Sequence, residues 1–153
     1  LSAAEGKPAI VVDGGHNPQG AEALRESLKE VFPDRPVVFI MAALADKDLP
    51  TMITTVVPLA KAFITVTAPS PRAASAEDLA ALINEGIHGS HIESCDMWTS
   101  SASSDCERNT ETYTAPNYSE AVKLAKSLAT SNDVICAFGS LYAVADAKRA
   151  LQQ

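Results

Sequence analysis

The 153-residue sequence has few cysteines, no basic cluster and no apolar run of membrane-spanning length. Cys95, Cys106 and Cys136 form no CxxC pair, which argues against a disulfide framework and against a structural zinc site. The 12 basic and 19 acidic side chains give a net charge of −7. Phosphate contacts need clustered Lys and Arg residues, and none are clustered here, which argues against nucleic-acid binding. The apolar run from Val37 to Ala45 is far shorter than the roughly 20 residues that span a bilayer.

Three familiar signatures are also missing. The sequence contains no GxxxxGK[ST] motif, so it has no loop that would wrap a triphosphate. Its local sequence marks out no Ser-His-acid or Cys-His nucleophile. The segment from Leu1 to Lys7 shows neither an initiator Met nor a basic stretch followed by an apolar one, so no signal peptide is visible. We therefore expect a cytoplasmic protein and a piece of a longer chain.

Apolar runs alternate with segments of helical periodicity, which is typical of α/β proteins. We expect helices that begin near Asn17, Asp48, Ser75 and Ser119, and a last helix after Ser140. The third helix should end at Gly86, followed by loop histidines at His88 and His91. Strands are predicted at Pro8 to Asp13, Val37 to Ala43, Phe63 to Thr67, His91 to Cys95 and Asp133 to Phe138.

This order predicts right-handed βαβ units and a mostly parallel sheet, in a three-layer α/β/α, Rossmann-like fold. Residues 1–153 are long enough for one domain with its own core. The stretch at 99–116 is rich in Ser, Thr and Asn and is expected to be a polar loop or insertion. In such sheets ligands bind beyond the carboxyl ends of the strands, so those turns are where a site should lie.

The turn after the first strand reads Asp13-Gly14-Gly15-His16-Asn17-Pro18. Its glycines permit a tight turn, and the helix that Asn17 begins offers free N–H groups to an anion. Asp13 can accept hydrogen bonds from ribose hydroxyls, and His16 can contact a phosphate or a carboxylate. The structural alternative is a turn in which Asp13 caps backbone donors and His16 is merely exposed.

Three further turns carry polar residues at strand ends. Lys47 lies between Asp46 and Asp48, which indicates either a charge contact or a solvated turn in which Asp48 caps a helix. Arg72 can bind a carboxylate in a two-pronged contact or be an ordinary surface residue. Ser140 places a hydroxyl at a helix start after a glycine. Four polar turns at four carboxyl ends would converge on one cleft.

Four stretches together carry a family resemblance: VVDGGHNPQGAEAL (Val11 to Leu24), ALADKDL (Ala43 to Leu49), TAPSPRAAS (Thr67 to Ser75) and CAFGSLYAVADA (Cys136 to Ala147). In this order they resemble the C-terminal domain of the folylpolyglutamate synthases and the bifunctional dihydrofolate synthases, a domain shared with the Mur ligases. The resemblance covers nearly the whole chain outside Glu93 to Tyr118. Family members usually carry Ala where Gly15 stands.

The resemblance implies an ATP-dependent amide ligase that adds L-glutamate to the γ-carboxyl group of a folate through an acyl phosphate. ATP and Mg would be the cofactors. The P-loop and the magnesium ligands would belong to the family's central domain, which is the implied partner of this chain, so no metal ligand is expected here. The chain alone is therefore expected to be inactive as a ligase.

The resemblance also implies roles for six residues. Asp13 would contact the sugar of the nucleotide, Asn17 would cap the helix beneath it, and His16 would be the catalytic residue near the phosphates or the glutamate. The residues expected to contact glutamate or the closing interface are Ser140, Arg72 and Lys47.

Two other interpretations stay open. One is a Mur-type ligase domain acting on a peptidoglycan precursor, although the SPRA and GSLY elements favour folate. The other is a binding module that recognises a nucleotide or an acidic metabolite without turnover. Neither interpretation involves nucleic acid or a membrane.

Overall fold

The computed structural model describes residues 6–97, 110–140 and 144–151. Within them, strands and helices alternate along the chain, as the apolar pattern predicts. The strands are β1 (Ala9–Val12), β2 (Val37–Met41), β3 (Ala60–Thr65), β4 (Glu111–Thr114) and β5 (Val134–Phe138). The helices are α1 (Pro18–Val31), α2 (Leu49–Val56), α3 (Ala76–Met97), α4 (Tyr118–Leu128) and α5 (Val144–Leu151), with a 3₁₀ turn at Val57–Leu59.

The five strands form one parallel sheet in the order β1-β5-β2-β3-β4. Side chains of successive strand residues point to opposite faces, so Phe39 and Phe63 pack with α1, α2 and α3, whereas Ile40 and Ile64 pack with α4 and α5. The rings of Phe39 and Phe63 stack with their centroids 5.3 Å apart. Both faces of the sheet are thus covered, and the predicted three-layer α/β/α architecture is confirmed.

Side-chain caps begin α1 and α3 where the sequence indicates. Asn17 Oδ1 accepts from the backbone N–H of Gly20 (2.7 Å), and Pro18 occupies the first turn of α1. Ser75 Oγ accepts from the backbone N–H of Asp78 (3.1 Å) at the start of α3. Helix α4 is capped by Asn117, two residues before the predicted Ser119.

The prediction of a loop throughout 99–116 is wrong for residues 111–114, which form β4. This short strand pairs with β3 at the edge of the sheet, with Ala62 opposite Glu111 and Thr65 opposite Thr114. Its sequence, ETYT, lacks the continuous apolar run of the inner strands, and its side chains are exposed or only half-buried. Residues 99–109 of the predicted loop lie outside the described residues.

Helix α3 runs past Gly86 to Met97, so the predicted strand at His91 to Cys95 and the loop assignment of His88 and His91 were wrong. Gly86 marks a close helix contact rather than a helix end, since a Cβ atom there would lie 2.9 Å from Cγ2 of Ile53 on α2. Val31, the last residue of α1, is a large apolar side chain that is 52% exposed.

The amino-terminal edge of the sheet is held by charged side chains. The buried Asp133 accepts from Lys61 Nζ (2.7 Å) and from the backbone N–H of Thr130 (2.8 Å). Burial acts to raise the pKa of Asp133, but the hydrogen bonds from Lys61 and Thr130 outweigh it, and the pKa is lowered. Arg35 donates to the carbonyl groups of Asn132 (2.7 Å) and Asp133 (3.1 Å). These contacts are structural and lie opposite the carboxyl edge.

No helix among the described residues is both long enough and apolar enough to span a bilayer.

Candidate functional site

Backbone hydrogen bonds hold the turns at the carboxyl edge side by side. The N–H of Asp13 donates to the carbonyl of Ala137 (2.9 Å), and the N–H of Gly139 donates to the carbonyl of Gly15 (2.9 Å). The N–H of Ala42 donates to the carbonyl of Phe138 (3.3 Å), which links the β5 end to β2. The turns after β1, β5 and β2 therefore form one continuous edge.

Local hydrogen bonds fix the turn after β1. The backbone N–H of Gly15 donates to Asp13 Oδ1 at 2.6 Å. A Cβ atom on Gly15 would lie 2.8 Å from that same oxygen, so glycine leaves room for the carboxylate to fold back. His16 Nδ1 lies 3.1 Å from the carbonyl oxygen of Gly14. Because a carbonyl only accepts, Nδ1 carries the hydrogen and the neutral ring has its lone pair on Nε2.

Thus Asp13 does cap a backbone donor, as the structural alternative proposed, and the cap occupies only one of its two carboxylate oxygens. Asp13, His16 and Asn17 are each only partly buried. The turn is therefore preorganised by its own contacts and still presents polar atoms at the edge.

The end of β5 brings Ser140 to the same place. Gly139 has a φ of +112°, and a Cβ atom on it would lie 2.4 Å from the carbonyl oxygen of Ala42. Only glycine fits this close approach without a backbone shift. Ser140, 3% exposed, lines a small depression together with Asp13 and Tyr118. The turns after β1 and β5 thus bring Asp13 and Ser140 to one point.

The turns after β2 and β3 form a second joined pair. The N–H of Ala45 donates to the carbonyl of Arg72 (2.8 Å), and the N–H of Ala74 donates to the carbonyl of Ala43 (2.9 Å). Across this bridge, Arg72 Nη1 lies 3.2 Å from Asp46 Oδ2. The arrangement places a guanidinium group at the carboxyl edge.

Lys47 and Asp48 lie on the turn that follows β2. Lys47 is half-buried. Asp48 caps α2, because its carboxylate accepts from Thr51 Oγ1 (2.8 Å) and from the backbone N–H of Thr51 (3.4 Å). The expectation that Asp48 begins a helix is confirmed.

Tyr118 is a site-adjacent residue that sequence reasoning missed. It borders the depression shared by Asp13 and Ser140, and it also lines a neighbouring cavity of about 360 Å³ with Thr67, Asp146 and others. Burial first, and the charge of Asp146 second, raise the pKa of its phenol. The one sequence feature that could have pointed to Tyr118 is its position as an aromatic residue directly after the helix cap Asn117.

Neither cysteine chemistry nor a metal cluster is evident in the described part of the chain. Cys136 is buried in β5, and burial, with a smaller contribution from the charge of Asp13, raises the pKa of its thiol. Among the described residues, no three His, Cys, Asp or Glu side chains are grouped so that they could hold a metal ion.

Comparison with known proteins identifies the family of the chain. The family described as "Mur ligase, glutamate ligase domain" matches residues 2–141, most of the chain. The chain belongs to this family. All six residues singled out from the sequence fall inside the matched range of the ligase domain.

Named relatives narrow the comparison. The dihydrofolate synthase/folylpolyglutamate synthase of Bacillus subtilis is 26% identical over 145 residues, which is 95% of this chain and 28% of that protein. The solved Mycobacterium tuberculosis folylpolyglutamate synthase complexed with ADP is 26% identical with a TM-score of 0.69, over 93% of this chain and 29% of its own. The chain spans under a third of the length of these relatives.

A second solved structure supports the fold alone. It is the bifunctional folylpolyglutamate synthase/dihydrofolate synthase of Yersinia pestis, complexed with AMPPNP and a Mn ion, at 21% identity and a TM-score of 0.70. The match covers 99% of this chain and 30% of the Yersinia chain.

Proposed function

We propose that this chain is the C-terminal domain, residues 1–153, of an ATP-dependent ligase that adds L-glutamate to folate. The observation that carries the proposal is the meeting of Asp13, His16 and Ser140 on two hydrogen-bonded turns in a glutamate ligase domain. The names of the relatives favour folate over a peptidoglycan precursor as the acceptor.

The proposed reaction activates a carboxylate and then joins it to an amine. ATP phosphorylates the folate carboxyl group, releasing ADP, and the amine of glutamate displaces phosphate from the acyl phosphate to give the amide. Both steps require several anions to be held together in fixed positions. Fixed N–H donors and cations at one edge of the sheet can hold anions locally, although the net charge of the whole chain is −7.

On the nucleotide side, the Asp13 oxygen that Gly15 leaves available accepts from a ribose hydroxyl. Asn17 holds the turn by capping α1. His16 is the proposed catalytic residue, because its Nε2 lone pair can take a proton from the ammonium group of glutamate, which must lose one to become a nucleophile. This proton transfer is the one chemical step assigned to the chain's own side chains.

On the amino-acid side, Ser140 and Arg72 hold the carboxylates of glutamate. A guanidinium group can bind a carboxylate through two parallel N–H bonds, and a hydroxyl group adds a third donor. Lys47 contributes a positive charge on the turn beside Arg72.

The remaining wall of the site belongs to a P-loop ATPase domain of the same protein. The described residues offer no grouped metal ligands, so the ligands of Mg would also come from that domain. Mg would neutralise phosphate charge during phosphoryl transfer. ATP, folate and L-glutamate are the proposed small-molecule partners, and the proposed location is the cytoplasm.

We expect Asp13→Asn in the full-length ligase to raise the KM for ATP by about tenfold, the loss expected when a hydrogen bond to a charged group is weakened. An asparagine oxygen can still accept from Gly15, so the melting temperature should not change. Steady-state kinetics with ATP varied, together with thermal melting, check both. A KM for ATP equal to that of the wild type would remove Asp13 from the nucleotide site.

A further inference from the structure

Asp46 and Arg72 form an exposed ion pair at the proposed glutamate site. The contact joins Arg72 Nη1 and Asp46 Oδ2 at 3.2 Å, and the side chains are 60% and 50% exposed. The turns that carry them are already joined by the backbone hydrogen bonds of Ala45 and Ala74. Holding the two turns together therefore does not depend on this side-chain contact.

The two acids of this turn differ in what they do. The Asp48 carboxylate is engaged by Thr51 at the start of α2, which is a structural cap. The Asp46 carboxylate instead accepts a hydrogen bond from Arg72, its side-chain partner among the described residues. Asp46 thus presents a carboxylate to the guanidinium group without supporting the fold.

We propose that the Asp46 carboxylate competes with the substrate carboxylate for Arg72 and so sets the affinity for glutamate. The inference rests on the proposed function, in which Arg72 holds glutamate. The Asp46 carboxylate is the same chemical group as the one that Arg72 would bind, and it reaches one guanidinium nitrogen, so an incoming carboxylate must displace it or share the donors. Because exposed ion pairs are weak, the competition lowers the affinity for glutamate without abolishing binding.

The test is kinetic and uses the full-length ligase. We expect Asp46→Asn to lower the KM for glutamate by about two- to fivefold, the range that the strength of exposed ion pairs implies, with the change in KM rather than in kcat. Asp48→Asn is the matched control, because it makes the same charge change two residues away and asparagine also caps helices well. Asp48→Asn should leave the KM for glutamate at the wild-type value.

A double-mutant comparison decides whether Asp46 acts through Arg72. Arg72→Gln should raise the KM for glutamate, and adding Asp46→Asn to Arg72→Gln should change it no further. An unchanged or raised KM in Asp46→Asn, or an equal drop in the Arg72→Gln background, overturns the competition. If Arg72→Gln itself leaves the KM for glutamate unchanged, the competition and the assignment of Arg72 to glutamate both fail. If Arg72→Gln raises this KM but Asp46→Asn does not lower it, only the competition is overturned.

Discussion

Replacing His16 with alanine should lower the kcat of the full-length ligase by about 100-fold or more, the usual contribution of a positioned general base. The hydrogen bond between Nδ1 and the carbonyl of Gly14 fixes the ring and leaves the Nε2 lone pair to accept a proton. Alanine removes the acceptor, and glutamate at neutral pH then attacks only as the small fraction of free amine. Steady-state kinetics at saturating substrates measures the loss.

Two further measurements separate this role from a structural one. A higher pH supplies more free amine, so the deficit of His16→Ala should shrink as the pH rises, whereas a distorted site would gain nothing. The ring makes a single hydrogen bond among the described residues, so the free energy of unfolding should fall by only about 1 kcal/mol. A kcat within a few-fold of the wild type at neutral pH would remove His16 from catalysis.

The largest effect on stability is expected for Gly139→Ala, which should lower the free energy of unfolding by about 3 kcal/mol. The φ of +112° is strained for alanine, and the new Cβ atom would lie 2.4 Å from the carbonyl oxygen of Ala42. That oxygen belongs to buried backbone next to β2, so the glycine turn must move instead. Ser140 would move with it, and the KM for glutamate should rise. Urea denaturation of the purified chain measures the stability change.

Gly6→Ala is the matched control for backbone strain. Gly6 also has a positive φ, +79°, but a Cβ atom there would meet nothing within 4 Å. Gly6→Ala should therefore lower the free energy of unfolding by about 1 kcal/mol, which is the cost of the positive φ without a steric clash. If Gly139→Ala were no more destabilising than Gly6→Ala, the close approach to Ala42 would not constrain the β5 turn.

Much of the fold could be predicted from the sequence because its signals are local. The continuous apolar runs at β2 and β5 mark strands covered on both faces, and Asn17, Asp48 and Ser75 mark helix starts through contacts within three residues. Strand β4 could not be predicted in this way. Its residues are polar, and it is a strand only because β3 offers an edge to pair with.

The site could be predicted only in part, for a related reason. The rule that ligands bind at the carboxyl ends of parallel strands points to the turns that carry the candidate residues Asp13, His16 and Ser140. The pairing of Asp46 with Arg72 and the place of Tyr118 beside Ser140 join residues far apart in the chain. Such contacts depend on the order of the strands, which a single sequence does not state.

The most direct test of the proposed function is phosphate release from ATP that depends on both folate and L-glutamate. It should be measured on the purified chain and on the full-length protein that contains it. We expect the full-length protein to release phosphate and the chain alone to release none, because the sequence here holds no loop that wraps a triphosphate. Glutamate-dependent turnover by the chain alone, or its absence from the full-length protein, would contradict the assignment of this domain as one wall of a folate ligase site.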